Sequence, residues 1–414
     1  MVKKIVAIML IFGVTCVAWM VLGASTGSRT YGQNEKLSEQ VEGLWGAVHI
    51  QEAPIFYYET KQQRNIEKST EDAKGRQIKK VETVTETVVN KVNVESGDVQ
   101  AGFDLTHRKK GLLWYDTYRV IYRAAYVIRN PLPRQERFKI DFTFPAKDAI
   151  YDDFRFLVNN KPIEVNDFSQ GKITVPLSLR EKETARIEIG YVSQGKDKWF
   201  YKFGDGVTRV KNFSLSMTTN FADIDFPQDT ISATTKERIS GGWKLLWKYT
   251  DLVSGFQIGM DMPNKLNPGP LASQISFFAP VSLLFFFFVV FMISEIRGVK
   301  IHPMNYIFLA AAFFAFHLLF AYTVDHVALS LSFIISSVVS LFLVISYMRI
   351  VVGARFAAVE VGFSQFVFLI LFSLAHFFQG YTGLTVTIGA VITLWVMMQL
   401  TARIDWEEKF RKTG

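Results

Sequence analysis

Two apolar regions flank a long polar one, and this layout constrains the 414-residue chain more than any motif in it. An apolar run from Ile5 to Gly23 follows Lys3 and Lys4, and a second apolar block runs from about Ile275 to Thr401, broken by short charged loops. A helix needs about 20 apolar residues to cross the hydrocarbon core, and lipid tolerates no unpaired backbone, so these stretches read as helices. Six candidate spans follow: 5–24, 275–294, 304–323, 328–347, 361–379 and 383–401. The chain divides into an N-terminal anchor (1–24), a domain of soluble composition (25–270), a five-helix membrane domain (271–402) and a basic tail (403–414).

Lysine and arginine in short loops orient the spans. Lys3 and Lys4, Arg297 and Lys300, Arg349 and Arg355, and Arg403, Lys409, Arg411 and Lys412 fall on one side if all six segments cross. The loops on the other side, at Asp325-His326 and at 380–382, carry no lysine or arginine. Both termini are then expected in the cytoplasm, with 25–270 outside. The first segment reads as a retained anchor rather than a cleaved signal peptide: its apolar run exceeds the usual ~7–15 residues of a signal core, and Leu22-Gly23-Ala24 is a poor cleavage site.

Charge and cysteine content exclude some classes. Residues 25–270 hold 36 Lys+Arg and 32 Asp+Glu, and the remainder 10 and 6, so the net +8 is spread evenly and does not point to nucleic acid. Cys16, the one cysteine, lies in the first apolar run, so no intrachain disulfide forms. Residues 25–270 must rely on a hydrophobic core, and the segment is long enough to have one.

Residues 34–45 read as a short helix, with Leu37, Val41 and Leu44 on one face. Beyond them the apolar period becomes two. Tyr118, Val120, Tyr122, Ala124, Tyr126 and Ile128 share a side, and Arg119, Arg123 and Arg129 fall on the other. The same alternation marks Phe138 to Phe144, Ile187 to Tyr191, Phe213 to Met217 and Phe256 to Met260. This is the pattern of half-buried antiparallel strands, and many such strands without amphipathic helices between them imply a sandwich-like all-β domain. Residues 59–80, rich in charge, read as an exposed loop or protruding hairpin, and 262–270, with three prolines, as the linker into the membrane.

Several short pieces together resemble a known family. After the first span come Val41-Glu42-Gly43-Leu44-Trp45-Gly46 and Gln51-Glu52-Ala53-Pro54; Arg108-Lys109-Lys110-Gly111 opens a strand; Ile301-His302-Pro303-Met304-Asn305-Tyr306 enters a span; and Arg403-Ile404-Asp405-Trp406 closes the chain. In order and spacing these resemble CreD-type inner-membrane proteins from about residue 35 to 406, although Ala53 stands where that pattern has glycine. The resemblance implies a bacterial inner-membrane protein linked to envelope integrity, colicin tolerance and responses to cell-wall stress. It supplies no catalytic residue and no cofactor.

Candidate sites each carry a plainer alternative. Asp325, His326 and His376 are ionisable groups in or beside spans, where such groups are costly; they form a candidate proton or metal site, against interhelical hydrogen bonding. His302-Pro303 with Met304, Asn305 and Tyr306 reads as a structural helix entry, and Arg403, Asp405 and Trp406 as a surface anchor. Ser332, Ser336 and Ser340 recur every four residues, the spacing of close helix packing, with a polar conduit as the alternative. The Arg119, Arg123, Arg129 stripe is a candidate binder of anionic lipid or glycan phosphate, against a solvated face. Trp199-Phe200-Tyr201 and Trp243 to Tyr249 read as core rather than a partner groove. No phosphate-binding glycine loop, zinc-binding helix pair of histidines or Gly-x-Ser-x-Gly elbow is present, although paired acids would leave no spacing signature.

The topology, the absent catalytic motifs and what the resemblance implies together lead to the expectation of a non-enzymatic envelope protein, without cofactor, whose periplasmic β domain contacts an envelope protein, lipid or glycan. The alternative is a transporter or lipid-handling accessory working through the helices. A sensor would need a separate signalling partner, because the cytoplasmic loops are short.

Overall fold

The structure is a computed structural model and describes residues 2–71, 77–147, 149–165, 168, 171–378 and 380–402. The tail, with Arg403, Asp405 and Trp406, lies outside the described residues. The chain forms two compact units: Met1–Leu37, Gly111–Leu113 and Leu266–Gly414 in the first, Ser38–Lys110 and Trp114–Lys265 in the second.

The first unit is helical. Its elements are α1 (Val2–Trp45, of which residues up to Leu37 belong here), α2 (Pro268–Arg297), α3 (Pro303–Thr323), α4 (Leu329–Val352), α5 (Ala354–Phe377) and α6 (Thr382–Thr401). All six are long and apolar enough to cross a membrane. Their core is aromatic, with Phe286, Phe287, Phe313, Phe316 and Phe320 buried beside Trp19. The ends explain why several helices outrun the expected spans. Pro268 and Pro270 lie in the first turn of α2, where proline loses no intrahelical bond, so residues expected in the linker are helical. Gly298, in the left-handed region at φ 67°, stops the helix by donating its N–H to Ser294 O. α5 begins at Ala354 rather than 361 and includes Glu360, whose charge meets Arg297 at 3.2 Å. The helix expected at 34–45 is the end of α1: the polar residues after the first span continue the helix without a break. Val41 on that stretch is buried, but Leu44 is 62% exposed.

The second unit is all-β. Its strands are β1 (His49–Glu52), β2 (Ile55–Glu71), β3 (Gln77–Val92), β4 (Ser96–Lys110), β5 (Leu113–Arg129), β6 (Glu136–Thr143), β7 (Tyr151–Val158), β8 (Lys161–Pro162), β9 (Lys172–Leu179), β10 (Thr184–Lys196), β11 (Lys198–Lys202), β12 (Thr208–Thr219), β13 (Thr235–Ile239), β14 (Gly242–Ser254) and β15 (Ile258–Asp261). An eight-stranded sheet runs β13-β14-β12-β4-β5-β10-β7-β8, a four-stranded sheet β3-β2-β6-β9, and a three-stranded sheet β1-β11-β15. Residues of all three share one core, for example Phe138, Ile140 and Phe142 with Tyr122, Tyr126 and Ile189, and with Trp199 and Ile258. Pairing is antiparallel except at β1–β11 and β4–β12, which are parallel. The period-two readings hold on β5, β6, β10 and β12, whose expected inward residues are buried. Phe256 departs from them: it precedes β15 and is 55% exposed. Trp199, Tyr201 and Trp247 are core residues.

The charged segment after residue 58 is a hairpin. β2 pairs with β6 only from Ile55 to Tyr58, but with β3 from Phe56↔Val92 to Glu71↔Gln77. From Glu59 onward the backbone pairing of β2 among the described residues is with β3, and Lys139 of β6 reaches Glu59 by an ion pair at 2.7 Å.

Candidate functional site

The pieces Trp45-Gly46, Gln51 and Pro54 build the inner wall of the β unit. Gly46 takes φ 94° and passes close to the backbone of Gln194. β1 can then lie parallel to β11, His49 opposite Trp199. Gln51 is fully buried and accepts a 2.7 Å hydrogen bond from Tyr191 Oη while donating to Glu52 O. Tyr191 stacks on Tyr122, whose hydroxyl is 3.1 Å from that of Tyr126, itself 3.0 Å from Tyr201 Oη. Burial holds all four phenols well above their ordinary pKa, so they act as neutral hydrogen-bonding groups. Pro54 is buried, and Trp45 packs under the Arg108 guanidinium at 5.3 Å. These residues are structural.

The open face of the eight-stranded sheet carries a groove of about 380 Å³. On the register, Arg123 of β5 lies opposite Gly190 of β10, and Gly190 lies opposite Arg155 of β7. Strands stack at about 4.8 Å, so the two arginine Cα atoms stand roughly 10 Å apart across a residue with no side chain. The β10–β7 register shifts between Gly190 and Val192, and Asp153 beside it takes φ 51°; an irregularity of this kind locally bends and twists a strand. Among the described residues neither Arg123 nor Arg155 makes an ion pair. Arg186 lines the same groove and is held by Glu188 at 2.6 Å, and Asp98 and Asp153 complete its charged rim. The arrangement is a side-chain gap between two arginines within a rim of both signs. Arginine forks suit carboxylate and phosphate in two-point contact.

The expected arginine stripe is thus divided. Arg123 enters the groove, Arg119 borders neighbouring depressions, and Arg129 is bound to Glu95 at 3.1 Å. Arg155, Arg186 and Gly190 were missed, because only the pairing register brings them to Arg123.

In the helical unit the trio Asp325, His326 and His376 does not assemble. Asp325 is held by Arg29 at 2.8 Å, His326 is exposed, and His376 is buried with Nδ1 3.2 Å from Phe372 O. No group of three or more His, Cys, Asp or Glu able to hold a metal occurs among the described residues. His302 accepts the Met304 N–H at 3.2 Å through Nδ1 and caps α3, with Pro303 in its first turn. Tyr306 is buried, and Asn305 accepts a 2.8 Å bond from Tyr347. The His302-Pro303-Met304 piece is a helix entry. Ser340 donates to Ala312 O at 2.7 Å, so the serine stripe closes α4 on α3.

Comparison with solved structures gives distant likenesses. A candidate nutrient binding protein from Legionella pneumophila is 12% identical, with 57% of this chain and 76% of that one covered at a TM-score of 0.33. An M1 zinc metallopeptidase from Deinococcus radiodurans is 13% identical, with 41% of this chain and 42% of that one covered at a TM-score of 0.25. At these TM-scores neither carries an argument about fold or activity. No curated protein matches. The family model described as "Inner membrane protein CreD" matches residues 274–407, from within α2 to beyond α6. The Trp45, Gln51 and Pro54 pieces lie outside the matched stretch, whereas the His302-Pro303-Met304 entry lies inside it. Over residues 274–407, about a third of the chain, the sequence is therefore similar to that inner-membrane protein family.

Proposed function

We propose that the chain is a non-enzymatic inner-membrane protein that supports envelope integrity or a stress response by binding an anionic envelope lipid or glycan on its β unit, which lies in the periplasm. The observation that supports this reading is the row Arg123–Gly190–Arg155, two guanidinium groups without an ion pair among the described residues on either side of a side-chain gap. The acidic rim of Asp98, Asp153 and Glu188 disfavours a dense polyanion and favours a single phosphate or carboxylate on a polar body. The distribution of loop lysine and arginine supports the periplasmic placement.

The test uses the full chain in nanodiscs. Binding of a soluble peptidoglycan fragment with free carboxylates, and of phosphatidylglycerol vesicles against phosphatidylcholine vesicles, is measured for the wild type and for Arg123→Ala/Arg155→Ala. Loss of two charge-assisted contacts, each worth about 1.5–3 kcal/mol, weakens binding by at least tenfold. No binding of either probe, or equal binding by the double variant, overturns the reading. Placement is checked with Lys211→Cys in a Cys16→Ala background: an impermeant maleimide labels it in cells with a permeabilised outer membrane, and protection until the inner membrane is lysed would refute a periplasmic β unit.

A further inference from the structure

Inside the helical unit Gln365, His317 and His376 each present a lone pair that no donor among the described residues meets, as do Tyr306 Oη and Glu360 Oε2 elsewhere in the unit. Gln365 is 0% exposed, His317 1% and His376 2%. Their hydrogen bonds fix which atom is bare. Ser340 has one hydroxyl proton, and it goes to Ala312 O at 2.7 Å, because a carbonyl cannot donate. Gln365 must therefore offer its Nε2 to Ser340 Oγ, at 2.8 Å, which leaves Oε1 as the unpartnered atom. His317 Nδ1 lies 3.1 Å from Phe313 O and His376 Nδ1 lies 3.2 Å from Phe372 O, so in each neutral ring Nδ1 holds the proton. Nε2 of both rings is a bare acceptor without a partner. Trp19 Nε1, unpartnered among the described residues, belongs to a ring 5.8 Å from that of His317.

These groups occupy neighbouring levels of the bundle. Phe333 of α4 touches Phe316 and Phe320, on either side of His317, and also Phe377, next to His376. The Gln365–Ser340–Ala312 contact lies five residues along α3 from His317, about 8 Å at the α-helical rise. α5 is irregular at this place: π-helical segments Ala357–Gly362 and Phe366–Leu371 bracket Phe363–Gln365, and His376 sits in a 3₁₀ turn. π-Segments inside helices recur at functional sites, and ionisable or amide groups inside a membrane bundle are costly unless used.

We propose that His317, His376 and Gln365 line a hydrated, proton-accepting site in the interior of the helical unit. Water supplies the donors these three acceptors lack and carries a proton to Nε2 of His317 or His376. The imidazolium so formed keeps its Nδ1–H on Phe313 O or Phe372 O and returns the Nε2 proton to water. The charged groups of the packed helices stand towards their ends: Lys4 with Glu295, Arg297 with Glu360, Arg29 with Asp325, and exposed Arg349 and Arg355. The remaining ionisable groups on α1 to α4 within the apolar spans are Cys16, Tyr306, Tyr322 and Tyr347, and α6 has none. The rings around His317 are Trp19, Phe313 and Phe316, and those around His376 are Phe278 and Phe372.

The experiment is solid-state NMR on the full chain in lipid bilayers with ¹⁵N-labelled histidine, His317 and His376 being assigned by single replacement. Transfer of water magnetisation to both imidazoles, an Nδ1–H tautomer at neutral pH and a second N–H on acidification are expected. Gln365→Leu should reduce the water transfer to His317 several-fold while helix content and thermal transition stay unchanged. If Gln365→Leu fails to fold, the wild-type measurement decides alone. Dry imidazoles in the folded wild type, rings that stay neutral down to the acid limit of folding, or a folded Gln365→Leu variant with unchanged water transfer overturns the proposal.

Discussion

Gly46 crosses the backbone of Gln194 so closely that a Cβ on Gly46 would stand 1.9 Å from the Gln194 carbonyl oxygen. The same residue has φ 94°, a conformation that side-chain-bearing residues rarely take. Gly46→Ala combines a backbone cost of about 1–2 kcal/mol with a clash against main chain that can only be relieved by moving β1 or β10. A loss of at least about 3 kcal/mol is expected in chemical unfolding of the full chain. Gly43→Ala, on an α1 stretch with nothing within 4 Å, is the control and should change stability little. Equal behaviour of the two variants would contradict this account.

His49 makes the β unit sensitive to acid. It is fully buried, and burial lowers its pKa from 6.5 to about 4. Ser193 gives its proton to Ile150 O at 2.8 Å, so it can only accept from His49 Nε2, 3.4 Å away; Nδ1 is left buried without a partner among the described residues, and burial keeps the ring neutral. The unfolded chain takes up a proton near pH 6.5 that the folded chain refuses until about pH 4. Stability from this group is therefore complete above 6.5 and falls through that window, by about 3 kcal/mol in all. Burial raises the carboxyls of Asp116 and Asp197, which act in the opposite direction, so the test is a difference. Between pH 7 and pH 4 the unfolding free energy of the wild type should fall by about 3 kcal/mol relative to that of His49→Leu. Parallel curves would exclude His49 as the source.

How much of this was legible in the chain depended on whether the information was local. Alternation is local, so the inward side of β5, from Tyr118 to Ile128, could be read directly. Helix entry is local too, and His302-Pro303 reads as a cap because proline and an acceptor suit a first turn. The groove was only half legible: Arg123 was visible as an outward arginine, but its companions Gly190 and Arg155 follow from strand register, which local spacing does not encode. Arg29 and Asp325, which meet across the helical unit, lie far apart in sequence and share no motif. The irregular turns of α5 have no compositional mark, since a π-segment and an α-segment of the same apolar residues look alike. The length of α1 was misjudged because a polar helix that continues an apolar one needs no cap of its own.

The Arg29–Asp325 pair fastens α1 to the end of α3. The Asp325 side chain is 8% exposed and that of Arg29 34%, so the two halves of the pair are not equivalent. Arg29→Ala strands a carboxylate out of water, whereas Asp325→Ala leaves a guanidinium that still reaches solvent, the Ala321 carbonyl at 3.4 Å and the Tyr322 ring. Breaking a buried pair typically costs about 3–5 kcal/mol, chiefly through the charge left unpaired. Arg29→Ala should therefore approach about 3 kcal/mol and Asp325→Ala should lose less than half of that. Unfolding in mixed micelles by denaturing detergent orders the two, and a larger loss for Asp325→Ala would contradict the assignment.

Gly190 separates a fold effect from a binding effect in the proposed groove. Its φ is not in the left-handed region, and an added Cβ would meet Tyr122 O at 3.4 Å and Arg123 Cγ at 3.9 Å, ordinary contact distances. Gly190 therefore has room for a Cβ, and a β-branched valine suits extended backbone. The change in stability should stay within about 1 kcal/mol. The side chain would nevertheless stand between Arg123 and Arg155, where the proposed anion would sit. Binding of the anionic probe should fall at least tenfold, with both arginines still present and the net charge unchanged. Salt dependence distinguishes this from a diffuse attraction: a built notch loses affinity in Gly190→Val at every ionic strength, whereas a surface held only by net charge would bind the variant and the wild type alike.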